Sequence, residues 1–98
     1  MIVLNAVMTE KEWKIVYTKH ALKDKGTAFE NGFGEKITGL LVLIKQNPYT
    51  PFPPYEKLIG ELCGAYSRRI NHQHRLVYTV HEEQKTVKII SLWEHYQV

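Results

Sequence analysis

The sequence predicts a two-layer α+β domain: an N-terminal strand and two helices packed on one face of a mainly antiparallel sheet. Three observations predict it. Trp13 to Tyr17 is rich in β-formers and runs straight into a candidate helix. Ile37, Leu40, Leu41 and Ile44 follow the i, i+3, i+4, i+7 spacing of a helix lying on a sheet. Three β-rich runs then follow, Tyr66 to Asn71, Arg75 to His81 and Thr86 to Trp93, joined by polar connections too short for crossover helices. With 98 residues the chain forms one core, read as a single domain over 11–98 after an N-terminal extension, 1–10. An active site in so small a domain must lie on the open face of the sheet.

Each element has its own signals. Thr18 offers an N-cap hydroxyl to the first helix, which carries Ala21, Leu22, Ala28 and Phe29 on roughly one face, although Gly26 and Thr27 lower propensity at its middle. Asn31 to Gly34 breaks the chain. The second helix starts at Glu35 and stops at Asn47-Pro48, with Lys45 suited to its C-terminal end. Pro51, Pro53 and Pro54 make Tyr49 to Tyr55 an extended loop, since proline fixes φ and donates no hydrogen bond. In the closing meander, side chains alternate between faces. Arg69 therefore lies opposite Tyr66 and Ile70, and Arg75 opposite Leu76, Tyr78 and Val80, whereas Arg68 shares the face of Tyr66 and Ile70, where its stem can cover the core edge.

Thirteen Lys plus Arg against ten Asp plus Glu give a formal charge of +3, so an acidic partner is favoured by where the cations cluster rather than by their number. The single cysteine, Cys63, cannot close an intramolecular disulfide, and no Cys/His spacing matches a structural zinc site. No cofactor or metal is expected. The apolar start Ile2 to Val7 lacks a basic n-region and is too short for a signal peptide, and no stretch is long enough to span a membrane, so a cytoplasmic location is expected.

Cleavage of RNA by its own 2′-hydroxyl needs a base, an acid for the departing 5′-oxygen, and cations for the phosphate. The stretch from Glu56 to Tyr96 holds candidates for each, most with a plainer alternative. Glu56 is a candidate base or a solvated loop carboxylate. Arg69 and Arg75 suit phosphate oxygens, or cross-strand pairing to Glu94. His95 has a reference pKa of about 6.5, right for a general acid, or is an exposed terminal histidine. Tyr96 can stack on a base or bond to a phosphate. His72 and His74 lie in a tight turn and read as solvent-exposed.

Glu56-Lys57-Leu58, Leu62-Cys63-Gly64-Ala65-Tyr66-Ser67-Arg68-Arg69-Ile70, His74-Arg75-Leu76-Val77-Tyr78 and the closing His95-Tyr96 resemble the YoeB/Txe toxins of the RelE superfamily. The resemblance covers about forty residues at consistent spacing. It implies a RelE-like fold with a strongly twisted sheet, and a ribosome-dependent mRNA endoribonuclease, the toxin of a type II toxin-antitoxin pair. It further implies Glu56 as general base, His95 as general acid and Arg75 as the transition-state clamp, with Arg69, Tyr96 and Lys57 binding substrate and no metal. The implied partners are a cognate antitoxin, mRNA on the ribosome and a second copy in a homodimer. The chain departs from the family in having Ile59 three places after the glutamate, where a basic residue is common; in Glu94, where an aromatic usually precedes the histidine; and in Gln97-Val98 after the closing pair. A non-catalytic module that binds the ribosome or a peptide through the same face is the competing reading.

Overall fold

The computed structural model describes residues 12–60 and 64–95, with His95 described by its backbone alone. The N-terminal extension, Cys63 and Tyr96 lie outside the described residues. Seven elements follow in order: β1 (Lys14–Tyr17), α1 (Lys19–Glu30), α2 (Gly34–Gln46), β2 (Tyr55–Lys57), β3 (Ala65–Arg69), β4 (His74–His81) and β5 (Thr86–His95). They form a mixed five-stranded sheet in the order β1-β5-β4-β3-β2. β1 runs parallel to β5, and every other pairing is antiparallel. The helices cover one face, and the fold is the expected α+β arrangement.

Local chemistry sets these elements. Thr18 accepts a hydrogen bond from the Ala21 amide at 3.0 Å and donates its hydroxyl to the Ile90 carbonyl at 2.8 Å. One residue therefore caps α1 and ties its start to β5. Ala21 and Ala28 are fully buried, so two small side chains let α1 approach the sheet closely. Leu22 and Phe29, expected on that stripe, are exposed. Each follows its buried alanine by one residue, about 100° around the helix, which turns it to the flank. Ile37, Leu40 and Ile44 of α2 complete a core with Ile70, Leu76, Tyr78, Val87, Ile89 and Leu92 of the sheet region.

Two further features depart from what the sequence indicates. Glu56 lies in a strand, β2, rather than in the loop leading to the sheet. Three residues beside a proline cluster leave no alternating pattern to read, and a short charged strand suits a sheet edge. The pairing of β4 with β5 is also irregular, with register shifts between Arg75 and Tyr78 that place a bulge in β5. Asp24 of α1 accepts hydrogen bonds there from the amides of Leu92 and Trp93, at 3.1 and 3.3 Å.

Candidate functional site

The antiparallel register brings the site together. Glu56 pairs with Ser67 across β2 and β3; in the next row Arg69 pairs with Arg75, and Arg75 with Glu94. Strands separated in sequence thus put Glu56, Ser67, Arg69 and Arg75 on one patch. Arg75 donates from Nη1 to Glu56 Oε1 at 2.5 Å and to Ser67 Oγ at 3.4 Å. Its side chain is only 5% exposed, against 60% for Glu56. A buried cation therefore holds a carboxylate whose outer side remains open to an incoming hydroxyl.

Around this pair lies a cavity of about 480 Å³ lined by Lys36, Pro53, Pro54, Glu56, Arg69, Ile70 and Arg75. Ile70 begins the turn between β3 and β4, and Lys36 lies in the first turn of α2. The cavity accordingly sits at one end of the sheet, where the helical layer comes round to meet the site, rather than on the middle of the open face. Lys36 gave no signal in the sequence: it is an exposed helix lysine beside the buried Ile37, and only tertiary packing brings it near the arginines. Three cations face one carboxylate in this cavity, an electrostatic setting for a polyanion's backbone.

The other expected residues fall as follows. Lys57 is exposed, follows Glu56 on the opposite face of β2, and lines a separate cavity with Leu58, Ile59, Gly64, Ala65 and Tyr66. The Cα of His95 pairs with that of His74, across the strand from Arg75 and Glu94. Glu94 is exposed, and its position opposite Arg75 makes it a neighbour of the site. His74 is not the solvent-exposed turn residue that its sequence position suggests: it is half-buried, with its ring stacked on Trp93 at 3.7 Å. His72 is exposed.

Arg68 differs most from expectation. Rather than covering the core edge with its head in water, it is 1% exposed. Its Nε donates to Tyr78 Oη at 3.0 Å, Nη2 to the carbonyls of Pro48 and Thr50 at 3.0 and 2.9 Å, and Nη1 to the carbonyl of Pro53 at 2.5 Å. Its guanidinium lies over the Tyr55 ring, 4.8 Å from the centroid. Tyr78 Oη in turn donates to the Pro48 carbonyl at 2.7 Å.

Comparison with known proteins places this architecture. The family profile described as the YoeB-like toxin of bacterial type II toxin-antitoxin system matches residues 17–96, which takes in every described site residue. The chain belongs to the YoeB-like toxin family. Toxin YoeB of Mycobacterium bovis is 40% identical over 52 residues, 53% of this chain, and the match spans 61% of that relative's length. Among solved structures, the YoeB/ParE toxin from Agrobacterium tumefaciens superposes with a TM-score of 0.76 at 30% identity, covering 85% of this chain and 99% of that one. YoeB of Staphylococcus aureus, solved as a dimer and in a heterotetrameric complex with YefM, is 39% identical; in the complex the likeness covers 86% of this chain and 98% of that one, with a TM-score of 0.72. Among the described residues of this YoeB-like chain, no helix is long and apolar enough to cross a membrane.

Proposed function

We propose that this YoeB-like toxin is a ribosome-dependent mRNA endoribonuclease that acts in the bacterial cytoplasm and is held inactive by a cognate antitoxin. The observation that carries the reading is the Arg75–Glu56 contact at the mouth of a cavity shared with Arg69 and Lys36. Glu56 takes the proton of the 2′-hydroxyl, and the 2′-oxygen attacks the adjacent phosphorus. Arg75 and Arg69 neutralise the charge gathering on the phosphoryl oxygens. His95 gives a proton to the departing 5′-oxygen, leaving a 2′,3′-cyclic phosphate and a free 5′-hydroxyl. Tyr96 stacks against a neighbouring base. A cavity of about 480 Å³ grips little of an RNA chain, which fits a substrate already held by the ribosome. The S. aureus relative's complex with YefM supports an antitoxin partner, and its dimer supports self-association.

Glu56→Gln, Arg75→Ala and His95→Gln are each expected to relieve growth arrest on expression and to lower cleavage of ribosome-bound message by at least a hundredfold, with the circular dichroism spectrum unchanged. Arrest that survives loss of Glu56 and His95, yet disappears when Arg69 and Arg75 are both replaced, would instead identify a binding module that blocks without cutting.

A further inference from the structure

Arg68 is a full positive charge in the core, and among the described residues its hydrogen-bond partners are neutral oxygens: three loop carbonyls and one phenol. Burying an ion without a carboxylate partner is costly, so the fan of bonds to the loop carbonyls has to offset that cost. The loop it grips explains the need. Residues 48–54 contain Pro48, Pro51, Pro53 and Pro54, which donate no amide hydrogen bond and cannot build a ladder of their own. A planar guanidinium, with five N–H groups in a fixed fork, spans several carbonyls at once; an ammonium has three donors on one point. The same strand position that presents Arg68 pairs its Cα with that of Tyr55, one residue before Glu56.

We infer that Arg68 is a positioning residue for the catalytic glutamate: by clamping the proline loop from behind β2, it sets the side chain of Glu56 against Arg75 on the opposite face. This rests on the proposed nuclease function for its catalytic consequence, but the clamp itself can be observed without activity. Two variants probe it. Arg68→Lys keeps the charge and loses the fork; Tyr78→Phe removes only the hydroxyl that bridges Arg68 and the Pro48 carbonyl.

Amide hydrogen exchange on each folded variant is expected to show protection of Tyr55 to Lys57 falling at least tenfold, with protection of α1 and α2 held near the wild-type level. Unchanged protection of β2 in Tyr78→Phe, or a loss spread evenly over the helices, would overturn the inference, even if Arg68→Lys fails to fold. In cleavage assays the same variants should lower kcat about tenfold or more at constant KM, and Tyr78→Phe combined with Glu56→Gln should cut no more slowly than Glu56→Gln alone. Additive losses in that double variant would mean that the residue acts on general stability and not through Glu56. A wild-type protein that cleaves nothing would fail the nuclease reading and leave the exchange result to decide the clamp.

Discussion

Because successive residues of a strand point to opposite faces, Arg68 and Arg69 do unrelated things from adjacent positions. Alternation alone separated Arg69 and Arg75 from Arg68 in the sequence, and the register bears out that separation by setting Arg69 opposite Arg75. What alternation does not reveal is depth. A side chain on the core-facing side of an edge-proximal strand can snorkel to water or bury its head completely, and the proline loop decides which. Lys36 was invisible for a related reason, since its role depends on how α2 packs rather than on any spacing within it. Replacing Lys36 with Ala is expected to raise KM three- to tenfold with little change in kcat, and to reduce the salt dependence of RNA binding by about one phosphate contact. Steady-state cleavage at several ionic strengths checks this; an unchanged KM and salt slope would remove Lys36 from the substrate path.

Between elements, the least legible feature is also a determining one. The hairpin connections, both helices and the three long strand runs follow from periodicity and turn chemistry, whereas β2 and the bulge in β5 do not, because each depends on partners far away in sequence. The bulge matters because its two shifts insert two extra residues into β5, which returns the side chains to their faces but changes which of them meets β4. It sets the phase in which Glu94 meets Arg75 and His95 meets His74. Asp24 holds it by accepting the Leu92 and Trp93 amides. Its contact with the exposed His20, at 3.2 Å, adds little by comparison. Asp24→Ala leaves two partly buried amides without that acceptor, and is expected to lower unfolding free energy by about 1–2 kcal/mol after the gain in helix propensity, measured by urea denaturation. A larger loss of cleavage than of stability would show that the phase of β5, and not only its anchoring, depends on this carboxylate.

For the whole molecule, a small domain places much of its stability in a few large side chains, and Tyr78 is one of them. It is fully buried, and burial pushes its phenol above the ordinary tyrosine range despite the opposing effect of Arg68. In the unfolded chain the group ionises near pH 10. Below that pH the phenol is neutral in both states and its contribution is intact; above it, the unfolded chain loses a proton that the folded protein keeps, so stability falls as pH rises. Thermal unfolding between pH 8 and 11 should show Tm dropping above about pH 10, with a shallower drop in Tyr78→Phe; parallel curves for the two proteins would contradict this. The order of the sheet has a consequence of another kind. β5 lies between β1 and β4, yet it is the last of the seven elements to leave the ribosome during synthesis. Until it emerges, β1 has no neighbour to join and β4 shows a bare edge, while Asp24 and Thr18 wait for amide and carbonyl groups not yet delivered. A nascent chain whose fifth strand has not yet emerged is thus an unfinished protein, and the sheet closes only when that strand slides between two others already made.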